Sequence, residues 1–150
     1  MPALMTFGRI IFAVLFIYTG ATKLFGIPAT AEFIAAKVTI PDLLLPYAAQ
    51  LQTLTGLPTA QTLAIAAGGF EVIAGLMIAL NFGARFFSLL LIIFVGVVTF
   101  YFHDFWNQAA PDNDKNLIDA LKNLSIIGAL FMIAGYGRGV SAVENAYDDV

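Results

Sequence analysis

Apolar positions along this chain fall in long runs rather than in alternation. Four runs have the length of a membrane crossing, at about residues 7–26, 59–80, 84–102 and 117–135. A helix needs roughly 20 apolar residues to cross the hydrocarbon of a bilayer. Helix is the form these runs predict, because backbone N–H and C=O groups in lipid must be satisfied within the segment. The polar–apolar alternation of a membrane β-barrel is missing from all four. Within the first run, Arg9 is followed by an apolar stretch over residues 10–18 and then by small residues near 19–22, which gives it the outline of a signal peptide. It is read here as a retained span. The expected fold is therefore all-α, a membrane four-helix bundle in one domain.

The connections between the runs differ. Residues 81–84 leave room only for a tight turn, so spans two and three are expected to be antiparallel neighbours. The segment 27–58 is semi-apolar and is broken by Pro41 and Pro46. Its two pieces, "ATAEFIAAK" and "PDLLLPYAAQLQTL", are too short to cross and predict two short interfacial helices. Asp42 is expected to cap the second, with Pro46 in its first turn. The third connection, "HDFWNQAAPDNDKN", is polar and acidic, and its "DND" at 112–114 reads as a solvated loop. "GYGRG" at 135–139 stops the fourth span, and "SAVE" at 141–144 has the spacing of a capping box.

Composition sharpens this picture. The chain has 150 residues, 60% of them hydrophobic and only 11% charged. A soluble domain carries about 25% charged residues, and the mean hydropathy here is +0.88. The lipid bilayer is thus the first partner. Net charge is −3, with no basic run, so nucleic acid is not an expected partner. The absence of cysteine removes disulfides, thiol redox chemistry and thiolate metal sites. A single histidine means that this chain alone cannot hold a bis-His haem. No metal and no resident cofactor are expected, with a bound quinone or lipid as the candidate ligand.

The few charges inside the spans carry the candidate chemistry. Arg9, Arg85 and Arg138 mark one membrane surface, which the positive-inside rule places in the cytoplasm together with both termini. Fourteen residues separate Lys23 from Arg9 and Glu71 from Arg85, or roughly 21 Å of helix. Lys122 and His103 lie at similar distances from Arg138 and Arg85, roughly 24 and 27 Å. One ionisable group per span at a comparable depth predicts a buried polar cluster of Lys23, Glu71, His103 and Lys122. An ionised side chain at the bilayer centre costs about 2.5–3.5 kcal/mol, so Glu71 should face inward and meet Lys23, Lys122 or both. Two plainer arrangements stand beside this one. The lysines can snorkel from span ends, and Asp119 can pair locally with Lys122 three residues on. Glu71 then serves only to lock the helices, whereas a ligand-binding or proton-handling site would use the same four residues.

Small residues form the second signal. Gly68, Gly69 and Gly75 with three alanines make a close-packing face on span two, and Gly128 takes a similar place on span four. A faint repeat supports two helix pairs: eleven residues separate Arg9 from Gly20 and Arg85 from Gly96.

The stretches "GRIIFAVLFIYTGATKLFG", "EVIAGLMIALNFGAR", "HDFW" and "NLSIIGALFMIAGYGRGVSAVE" together resemble the DoxX family of small four-span bacterial membrane proteins. That resemblance implies an inner-membrane location, both termini inside, and a link to respiratory or redox biology through quinone-dependent oxidation. It implies an accessory subunit of a membrane oxidoreductase assembly, with other membrane subunits as partners. The alternative is a self-contained protein that binds or reduces a quinone or similar ring through the buried polar cluster. A small transporter fits less well, since span two lacks the proline-broken pattern of discontinuous helices. Whether the chain is itself an enzyme is left open by these residues.

Overall fold

The computed structural model describes residues 2–136, all of whose regular structure is helical. Arg138, the "GYGRG" stop beyond Tyr136 and the "SAVE" box lie outside the described residues. Six α-helices follow one another: α1 (Pro2–Phe25), α2 (Ile27–Lys37), α3 (Leu45–Thr55), α4 (Thr59–Ala79), α5 (Ala84–Phe102) and α6 (Asp112–Tyr136). Four of them, α1, α4, α5 and α6, are long and apolar enough to cross a membrane. These are the four spans expected from the sequence.

Two of the spans start earlier than their apolar runs. α1 begins at Pro2, where a proline costs nothing because the first-turn N–H groups have no intrahelical partner. α6 begins at Asp112, so "DND" is its first turn and not a loop. The reason is electrostatic: Asp112 and Asp114 lie at the positive end of the helix dipole. The Asn113 side chain also accepts the Asp114 N–H at 2.8 Å.

Between α1 and α4 the two short helices form as expected. Each has 11 residues, too few to cross the bilayer. Gly26 makes the break after α1, and Pro28 sits in the first turn of α2. The capping role expected of Asp42 is not observed. Asp42 opens a separate 3-10 turn, Asp42–Leu44, while Leu44 precedes α3 with no side-chain cap. Pro41 sets extended backbone just before Asp42, and the turn intervenes before α3 can start. Pro46 does take its place in the first turn of α3.

The chain forms two compact units, Phe12–Gly75 and, among the described residues, 2–11 with 76–136. In the first, α4 buries Ala64, Gly68, Glu71, Ala74 and Gly75, a seam with the three-and-four spacing of one helix face. On α1 the buried positions Ala13, Phe16 and Gly20 follow the same spacing. A Cβ on Gly20 would lie 2.6 Å from the Gly68 carbonyl, and one on Gly75 3.2 Å from the Ala13 carbonyl. Residue 20 is level with 68 and residue 13 with 75, so the two helices run antiparallel. Small residues let the backbones approach, and in lipid that packing is what holds helices together.

In the second unit, α5 turns Ala84, Ser88, Leu91 and Val95 inward, and α6 turns in Ala120, Leu130 and Ala134. The end of α4 is closed by a Schellman motif. Phe82 N–H donates to Met77 O at 2.9 Å and Asn81 N–H to Ile78 O at 3.1 Å. Asn81 takes φ 59°, a left-handed conformation that asparagine tolerates better than most residues. Gly83 follows at φ 59° and leads straight into α5.

Ser88 is fully buried, and its hydroxyl has no partner among the described residues. Ser88→Ala therefore removes a desolvated group and no bond. The expected result is an unchanged or higher melting temperature in detergent, with a gain of up to about 1 kcal/mol. A clear fall in Tm would show that the hydroxyl is bonded after all.

Candidate functional site: an intramembrane ion pair between two helices

Glu71 occupies the middle of the inward seam of α4, and the local geometry brings Lys23 to it. Every helical side chain leans toward its own N-terminus. In an antiparallel pair, Lys23 on α1 leans back toward the level of Gly20, and Glu71 on α4 leans toward Gly68. Gly20 and Gly68 face each other, so the two charged side chains converge at the closest point of the crossing. Lys23 Nζ donates to Glu71 Oε2 at 2.6 Å. Its second contact is the Thr19 carbonyl, at 3.4 Å. The Glu71 side chain is 7% exposed and that of Lys23 31%. The pair is thus sealed on the carboxylate side and half open on the ammonium side.

Gly20 creates the space. A Cβ there would meet Glu71 Cβ and Val72 Cγ2, each at 2.9 Å. Gly68 and Gly75 make the close approaches expected of them, Gly75 against Ile17 and Ala13. At Gly69 and Gly128 a Cβ would find nothing within 4 Å, so the tight packing expected of all four glycines is made by Gly68 and Gly75 together with Gly20. The open positions point away from the seams that their neighbours fill.

The other two candidate residues lie in the second unit. Lys122 Nζ donates to Asp119 Oδ1 at 2.9 Å, a pair within α6. This is the local arrangement that their spacing allows. His103 ends α5, its N–H bonded to Thr99 O at 3.0 Å. Its Nδ1 is buried with no hydrogen-bond partner among the described residues. Asp119 lies within electrostatic reach of this imidazole.

A set of further polar contacts was not singled out from the sequence. Asn123 on α6 donates to Thr99 Oγ1 on α5 at 2.9 Å, joining two spans. Gln108 donates to Asp104 at 2.7 Å and accepts from Asn116 at 2.6 Å, which ties the connection to the start of α6. Phe100, Phe105 and Trp106 pack ring against ring beside this network. Isolated polar residues at 99 and 123 within apolar runs were the available signal. Such residues in a span need a partner helix.

Comparison with known proteins agrees with this architecture. The DoxX family model matches residues 4–104, and the SURF4 family model matches residues 61–148. The inner membrane protein YphA of Escherichia coli is 27% identical over 143 residues, which cover 95% of this chain and 89% of that protein. The Surfeit locus protein 4 homolog of Schizosaccharomyces pombe is 30% identical over 76 residues, which cover 49% of this chain and 25% of that protein. No solved structure matches.

Proposed function

The chain belongs to the DoxX family, and through residues 61–148 to the SURF4 family as well, and on that premise we propose that this multi-pass inner-membrane protein is a non-catalytic subunit of a quinone-linked oxidoreductase assembly. The observation that carries this reading is the Lys23–Glu71 pair. Its two charges satisfy each other at 2.6 Å, and the carboxylate is closed off from its surroundings. A pair bound in this way locks α1 to α4 and supplies a rigid helical surface. The chain has no cysteine and one histidine, so thiol or bis-His haem chemistry falls to partner subunits. Arg9 and Arg85 support cytoplasmic termini under the positive-inside rule.

One observation favours a second reading. An ammonium has three donors, and Glu71 and the Thr19 carbonyl take two of those of Lys23. The third is available to a carbonyl oxygen of a lipophilic ring. One experiment separates the readings: purification from native membranes in mild detergent, followed by mass spectrometry of proteins and extracted small molecules. Stoichiometric redox subunits are the expected companions. Isolation only as a free monomer or homo-oligomer overturns the first reading. A retained quinone that disappears in Glu71→Gln, without any redox partner, establishes the second in its place.

A further inference from the structure

Two polar bonds along α6 bracket a pair of side chains that are not bonded to each other. Asn123 meets Thr99 on one side, and Asn116 meets Gln108 on the other. His103 is one turn beyond Thr99 along α5, and Asp119 is one turn before Asn123 along α6. Residues four apart share a helix face, and the two spans run in opposite senses. His103 and Asp119 therefore stand at one level on the two facing seams, each of them half-buried. The imidazole Nδ1 is enclosed without a hydrogen-bond partner among the described residues. Asp119 Oδ1 accepts from Lys122, which leaves the second carboxylate oxygen free for another donor.

We propose that His103 and Asp119 form a proton-operated latch between the ends of α5 and α6. A neutral imidazole has one N–H and one acceptor nitrogen, and nothing turns it toward a carboxylate. A proton makes both ring nitrogens donors and sets a positive charge beside Asp119, which already lies within electrostatic reach. The charged ring then takes the free oxygen, so one carboxylate bridges Lys122 on its own helix and His103 on the neighbouring one. The setting suits a cation: this end of the two spans carries four carboxylates, Asp104, Asp112, Asp114 and Asp119, against the ammonium groups of Lys115 and Lys122. A proton held more tightly by the folded chain than by the unfolded one adds stability as the pH falls. That gain is lost again as the pH rises through the titration of the ring. Imidazole is the side chain whose charge ordinarily changes between about pH 5 and 8. Arg9 and Arg85 lie at the other ends of α1 and α5, so under the positive-inside rule the latch faces the outer compartment and responds to its acidity.

Thermal denaturation of the full chain in detergent at about pH 7.5 and about pH 5.5 tests this. Acidification is expected to raise the melting temperature of the wild type by about 2 °C relative to His103→Gln, the scale of a partly exposed ion pair. The comparison isolates the ring, because the chain has one histidine. Asp119→Asn should lose the same rise, and combining it with His103→Gln should lose no more than either change alone. Lys122→Gln alters an exposed side chain and leaves the carboxylate to the ring, so it should enlarge the rise. A histidine that only packs would shift the melting temperature equally at both pH values. An equal response to acid in the wild type and His103→Gln, a rise that survives Asp119→Asn, or a rise that Lys122→Gln fails to enlarge would each overturn the proposal. Its outcome is independent of whether a redox partner co-purifies.

Discussion

Glu71→Ala is expected to lower the stability of the protein by about 3 kcal/mol, the lower part of the range for breaking a buried ion pair. The loss has two parts. The 2.6 Å bond disappears, and the Lys23 ammonium is left between α1 and α4 without its counter-ion. The partial exposure of Lys23 lets it turn outward, which is why the lower part of the range applies. Glu32→Ala is the matched control. Glu32 is exposed on the short helix α2, where substitutions usually stay within about 0.5 kcal/mol. Thermal denaturation of both variants in the same detergent reads the difference, and equal shifts in Tm would refute the burial argument. Replacing both partners by apolar residues, Lys23→Met with Glu71→Leu, should recover most of the loss, since an apolar pair carries no desolvation cost. If the double variant is as unstable as Glu71→Ala alone, the contribution of Glu71 is not its charge.

Gly20→Ala is expected to be comparably damaging for a different reason. The new methyl group would lie 2.6 Å from the Gly68 carbonyl, a backbone atom that cannot rotate away. Overpacking of this kind costs about 1–3 kcal/mol, and here it also parts the helices at the level of the ion pair. Gly69→Ala, one position beyond Gly68, meets nothing within 4 Å. It should leave the melting temperature unchanged or raise it, because alanine is the better helix former by up to about 1 kcal/mol. The two damaging changes act on one crossing, so Gly20→Ala combined with Glu71→Ala should cost less than the sum of the single effects. Full additivity, or a Gly69→Ala loss equal to that of Gly20→Ala, would mean that the close approach does not govern this contact.

Much of the architecture was legible from apolar run length. The turn at 81–84 and the two short helices between α1 and α4 could also be placed from prolines, glycines and polarity. The boundaries were less so. The acidic turn of α6 reads as a loop until the helix dipole is seen to favour it, and Asp42 has the right residue type for a cap that the chain does not build. Among the candidate site residues, Glu71 declared itself, since a lone carboxylate in an apolar helix has to face protein. Lys122 did not reveal from spacing alone that it would bind Asp119, because the same residue could equally have reached another helix. Gly20 was visible as a glycine but not as the counterpart of Gly68.

The sequence by itself determined that four helices are apolar enough to cross a membrane and that α4 turns Glu71 to its packed side. These are properties of single segments, decided by transfer energy and helical period. Which cation meets that carboxylate, and which glycine makes room for it, was decided only in three dimensions. Lys23 and Glu71 are 48 residues apart. Their meeting depends on the vertical register of two antiparallel helices, which is set by the mutual contact of Gly20 and Gly68 and by no feature of either helix alone.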